Sequence, residues 1–173
     1  MEHVLTFHSR WFNRLIYCDF LYRHLFYRHL FYRHLFIAID FDLLRQSLWL
    51  TKNRLITLPG EIGLLTNLTA LFVDENVMTH LPQEMGNMIS LRKLSLRYNR
   101  LVSLPPTLCG LTNLRELYLV NNKKIESFPE SYTELKSLQT MSLDVGLLGS
   151  FSIELLGWVT NLQDLQYTGK KAK

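Results

Sequence analysis

A chain of 173 residues has room for one domain with an ordinary core, or for a short repeat array with an end segment. The formal net charge of +4 comes from 19 basic against 15 acidic residues, spread widely enough to exclude a phosphate-tracking nucleic-acid groove. Two cysteines, Cys18 and Cys109, exclude a disulfide-stapled scaffold and point to a reducing compartment.

Residues 1–34 are a low-complexity segment that stands outside the pattern of the remainder. Tyr-Arg-His-Leu-Phe occurs three times in succession, at residues 22–26, 27–31 and 32–36. His24, His29 and His34 resemble a metal set only on paper. A five-residue step turns a helix by about 140°, so the rings diverge, and on a strand an odd step alternates faces. The same step cannot hold one apolar stripe, which argues against an amphipathic membrane helix. Tandem duplication of a short DNA unit accounts for the pattern, and the segment is expected to lie outside the fold.

No secretory signal opens the chain, and the longest uncharged apolar run near its start, residues 35–39, is far short of the ~20 residues of a membrane helix. A cytoplasmic protein without a membrane span is expected. From 35 to 44 the spacing of Leu35, Ile39, Asp42 and Leu43 predicts a short helix that caps the first coil of a repeat array.

That array runs over residues 45–169, with coils opening at Arg45, Leu68, Leu91, Leu114, Leu138 and Leu162, in steps of 23, 23, 23, 24 and 24 residues. Residues 91–113 show the repeat best. Leu91, Leu94, Leu96 and Leu101 occupy the first, fourth, sixth and eleventh positions. The fourth and sixth alternate inward on a short strand, as Leu94 and Leu96 would. Asparagine holds the ninth position as Asn53, Asn76, Asn99 and Asn122, where a side chain with donor and acceptor satisfies turning backbone. Pro59, Pro82, Pro105 and Pro129 stop the strand and send the chain into a short return. Gly63, Gly86 and Gly110 allow close packing at its end. The sequon at Asn67 falls where the repeat supplies its own asparagine and leucine, and reads as structural. The pattern fades at the ends: Gly146 replaces the asparagine, Ser152 the proline, and one extra residue sits near Lys123–Lys124. A basic tail closes the chain at 170–173.

The form of residues 58–67, LPGEIGLLTN, resembles the Ras-group class of leucine-rich repeats. That resemblance implies an α/β fold: a leucine-rich-repeat solenoid, with parallel strands on a concave face and short convex returns. It also implies intracellular signalling, with a protein partner on the concave face, a small GTPase or another signalling protein among the class's partners.

Outward strand positions would form that face. Trp49, Phe72 and Tyr118 supply aromatic surface, Asp74 and Glu75 an acidic pair, and Arg92, Lys93, Arg97 and Arg115 a basic set, with Tyr98 beside them. Aromatic side chains and arginine commonly carry interface energy. No phosphate-cradling glycine loop, metal-ligand spacing or nucleophile–histidine pair is present, so neither an enzyme nor a cofactor is expected. His80, the sole histidine of the array, stands alone on a turn. Two alternatives remain: a truncated or decayed repeat fragment with no dedicated ligand, and a regulatory subunit of an enzyme complex.

Overall fold

The computed structural model describes residues 5–6, 47–144, 152–159 and 162–168. Within them lie β1 (Leu5–Thr6), β2 (Ser47–Trp49), β3 (Ala70–Phe72), β4 (Lys93–Ser95), β5 (Glu116–Tyr118), β6 (Thr140–Asp144) and β7 (Asp164–Thr168). All pair in parallel, in chain order, as one open sheet.

The register follows the repeat. Leu48, Leu71, Leu94, Leu117, Met141 and Leu165 face one another across successive strands. Parallel strands lie about 4.8 Å apart, so each of these side chains rests on its counterpart in the next coil. The sixth-position residues Leu50, Val73, Leu96, Leu119 and Leu143 are buried beside them, as are Leu55, Met78, Leu101 and Ile125 at the eleventh. One continuous core runs from Leu48 to Trp158. A fully buried leucine contributes about 1.5–3 kcal/mol, so the column of inward residues is the main source of stability.

The prolines do as the sequence predicts. Pro59, Pro82 and Pro105 each have φ −68° and Pro129 has φ −61°, all extended, and each is followed at once by a single 3-10 turn. These turns span Gly60–Leu64, Gln83–Asn87, Pro106–Gly110 and Glu130–Glu134. They stack on one another on the side opposite the sheet. Glycine is required where they touch: a Cβ on Gly63 would strike the Glu84 carbonyl, and one on Gly86 the Thr107 carbonyl. The fifth coil, which lacks the proline, makes a true helix instead, α1 (Ile153–Val159). Ser152 caps it by accepting the Leu155 N–H at 3.3 Å.

The ninth-position asparagines tie coil to coil. The Asn76 side-chain amide donates to the Leu50 carbonyl of the preceding coil at 2.9 Å and to Val73 of its own at 3.0 Å. Its Oδ1 accepts the Leu55 N–H at 3.0 Å. Asn99 repeats this with Val73, Leu96 and Met78, and Asn122 with Leu96, Leu119 and Leu101. Asn53, in the first coil, is half-buried and, among the described residues, donates within its own coil, to Leu50 and Thr51. The residue before each asparagine pays a backbone cost, since Lys52, Glu75, Tyr98 and Asn121 have φ of 57°, 55°, 55° and 63°.

At the first edge, Leu5 and Thr6 pair with Leu48 and Trp49. The expected cap at 35–44, the rest of the 1–34 segment and the 170–173 tail lie outside the described residues. At the other end β6 and β7 pair over five residues, a longer ladder than the three-residue pairings between β2 and β6.

Candidate protein-binding face

Fifth-position side chains point away from the core, and their column begins with Trp49, Phe72, Ser95 and Tyr118. In-register pairing brings Trp49 and Phe72 face to face, with ring centroids 3.8 Å apart and an interplanar angle of 14°. Trp49 Nε1 is buried and has no hydrogen-bond partner among the described residues. Ser95 is small and buried, leaving a gap between Phe72 and Tyr118. Lys93 reaches over that gap, with its Nζ 5.9 Å from the Phe72 ring centroid and 5.2 Å from that of Tyr118.

Lys93 is held by an acid on the next strand. Lys93 and Glu116 are register partners, and Nζ lies 2.5 Å from Glu116 Oε2. The Tyr118 hydroxyl donates to the same carboxylate oxygen at 2.8 Å. Burial alone would raise the Glu116 pKa, but the hydrogen bonds from Lys93 and Tyr118 and the lysine charge hold it below the ordinary value. Burial alone would lower Lys93, and its bond to and attraction by Glu116 more than offset this, so its pKa is raised. Tyr118 is raised by burial, then by the bond and charge of Glu116, against Lys93 and Arg97.

The guanidinium of Arg97 sits 4.0 Å from the Tyr118 ring centroid, a cation–π geometry. Its backbone N–H donates to Asp74 Oδ1 at 2.7 Å, and the Ser95 hydroxyl donates to the same oxygen at 2.6 Å. Asp74 therefore acts as a brace between the second and third coils.

Six of the sequence-predicted residues thus come together: Trp49, Phe72, Asp74, Lys93, Arg97 and Tyr118. Arg92 and Arg115 stand exposed as each chain enters its strand, with the N–H groups of Arg115 and Glu116 both donating to the Arg92 carbonyl at 2.8 and 3.0 Å. Glu75 and Tyr98 sit apart, in the left-handed turn that precedes the asparagines. Glu75 lies 3.8 Å from Lys52 in an exposed ion pair, worth about 0–1 kcal/mol, and Tyr98 is 56 % exposed. Glu116 was not among the residues read from the sequence as partner-binding. The signal was available, since a 23-residue step from Lys93 leads to it.

The family model for leucine-rich repeats, in two copies, matches residues 89–137. No curated protein matches the chain. Among solved structures, the leucine-rich repeat domain of the type III effector XopL is 19% identical, with TM-score 0.51, covering 92% of this chain and 65% of that one. A leucine-rich repeat protein of Leptospira interrogans is 27% identical, with TM-score 0.43, over 69% of this chain and 43% of that one. The leucine-rich repeat ectodomain of the receptor kinase SOBIR1 from Arabidopsis thaliana is 18% identical, with TM-score 0.43, over 66% and 64%. The chain spans less than two thirds of the length of each of these structures. Among the described residues no helix is long and apolar enough to cross a membrane. The stacked parallel coils and the asparagine ladder give this chain the fold of a leucine-rich-repeat solenoid, and its residues 89–137 match the repeat model of that family.

Proposed function

We propose that the chain is a protein-interaction module that holds a partner polypeptide against its strand face, in intracellular signalling. Leucine-rich-repeat domains generally mediate protein–protein interactions, and the observation that carries the reading here is the assembled surface of Trp49, Phe72, Lys93, Arg97 and Tyr118. Each ring is already fixed, Trp49 and Phe72 by stacking and Tyr118 by Glu116 and Arg97, so little side-chain entropy is lost when a partner covers them. The LPGEIGLLTN form of residues 58–67 supports a place among the Ras-group repeats, whose partners include small GTPases.

Affinity capture with the wild-type chain against a Trp49→Ala, Phe72→Ala, Arg97→Ala, Tyr118→Ala variant tests the reading. Proteins retained by the first and lost by the folded second are the expected result. Equal recovery by both would overturn it, and would favour a repeat array with no dedicated ligand.

A further inference from the structure

The strand face holds more cation than it pairs. Among the described residues, Lys93 is matched by Glu116 and Lys52 by Glu75. The Asp74 carboxylate is engaged by the Ser95 hydroxyl and the Arg97 N–H. That leaves the guanidinium groups of Arg92, Arg97 and Arg115 without a carboxylate among those residues.

Two of the three are forced together. Arg92 and Arg115 occupy the same position on adjacent coils, locked by the backbone bonds from Arg115 and Glu116 to the Arg92 carbonyl. Like charges opposite one another on neighbouring strands are destabilising. The residues flanking them in that column are Thr69 and Gln139, which are neutral and give no relief. Both arginines are exposed, so neither is recruited by the core. Arg97, just beyond β4, is half-buried and holds its guanidinium over the Tyr118 ring, and a planar guanidinium suits bidentate contact with a carboxylate.

We propose that the partner segment bound here is acidic: a stretch of polypeptide whose Asp or Glu carboxylates bridge Arg92 and Arg115 and reach Arg97. The inference rests on the reading of the strand face as a protein-binding surface. A nucleic-acid backbone suits the face poorly, because Asp74, Glu75 and Glu116 interrupt the positive field that phosphates would follow.

The test uses fluorescence anisotropy with a labelled polyglutamate peptide, a polylysine peptide and a single-stranded oligonucleotide, at low and high salt. The wild-type chain is expected to bind polyglutamate in preference to the other two, and less tightly as salt rises. Arg92→Glu with Arg115→Glu should weaken polyglutamate about tenfold or more and create affinity for polylysine. The neutral pair Arg92→Gln with Arg115→Gln should show the same loss without the gain, with a melting temperature at or above that of the wild type, because the repulsion between the two arginines is removed. Unaltered polyglutamate binding by either folded pair, or oligonucleotide binding as tight as polyglutamate, would overturn the proposal. Captured proteins that depend on Trp49 and Phe72 but survive the charge reversal would leave the binding face standing while removing its acidic preference.

Discussion

Asn99 donates from its side-chain amide to the carbonyl of Val73, one coil back, at 2.9 Å. The same amide bonds Leu96 within its own coil, and Oδ1 takes the N–H of Met78 from the preceding one. One side chain therefore closes backbone groups on two coils, in a site where water cannot substitute.

Asn99→Ala should cost about 3 kcal/mol in urea unfolding, because it leaves several buried polar groups unpaired. Asn53→Ala, which among the described residues breaks bonds within one coil at a half-buried site, should cost less than about 1 kcal/mol. Asn99→Asp should be nearly as damaging as alanine, since a carboxylate has no donor to offer the carbonyls. Equal losses at positions 53 and 99 would contradict the cross-coil role.

Glycines on the returns differ in their surroundings. Gly86→Ala drives a methyl into the Thr107 carbonyl of the next turn and should destabilise by about 3 kcal/mol. Gly157, exposed on α1, has nothing within 4 Å of a Cβ, so Gly157→Ala should stabilise by about 0.5–1 kcal/mol. Thermal melts of the two single variants should move in opposite directions.

A double-mutant cycle on Lys93→Met and Glu116→Gln should give a coupling of about 0.5–1 kcal/mol, modest because both side chains remain about a third exposed. The pH dependence has a definite sign. The Glu116 pKa is depressed in the folded chain, so its contribution is present above the ordinary glutamate range and lost as pH falls through the folded value. Those of Lys93 and Tyr118 are raised, so theirs are complete below the ordinary ranges of those groups and lost as pH rises through the folded values. The stability gap between wild type and Glu116→Gln should be flat around neutral pH and close on acidification to about pH 3.

Tyr132 takes the place that Ile62 fills in the first coil, and its hydroxyl donates to the Pro105 carbonyl at 3.0 Å in a fully buried setting. Tyr132→Phe keeps the ring and its edge contact with Phe128 but strands that carbonyl, a loss of about 1–2 kcal/mol. Burial, with the Cys109 thiol adding to it, holds the hydroxyl well above the usual tyrosine range. In an alkaline absorbance titration, one tyrosinate signal should appear only with unfolding, and be missing from the variant.

Positions whose job repeats every coil were legible in the sequence. Leu94 and Leu96 point inward because a strand alternates, and the prolines end strands because they cannot continue the ladder. The proposed face was legible as columns of outward residues but not as contacts. That Lys93 sits between Phe72 and Tyr118 depends on Ser95 being small, on in-register pairing and on Glu116 opposite. Those contacts join residues about a full coil apart, so no local window contains them. Nor did the ladder's backward reach show in the sequence, where the asparagines read as local turn residues. The left-handed backbone at Glu75 and Tyr98 was equally hidden, since neither is a residue that favours it.

The backward direction of the asparagine bonds gives the array a polarity. Asn76, Asn99 and Asn122 each find their cross-coil partners in chain made earlier. As the protein leaves the ribosome, each new coil brings the asparagine that closes the backbone groups its predecessor left open, so a coil is completed when the next one has been made. Assembly of this kind is a zipper that closes from the N-terminal side, and nascent chains halted after the second or third coil should already resist proteolysis.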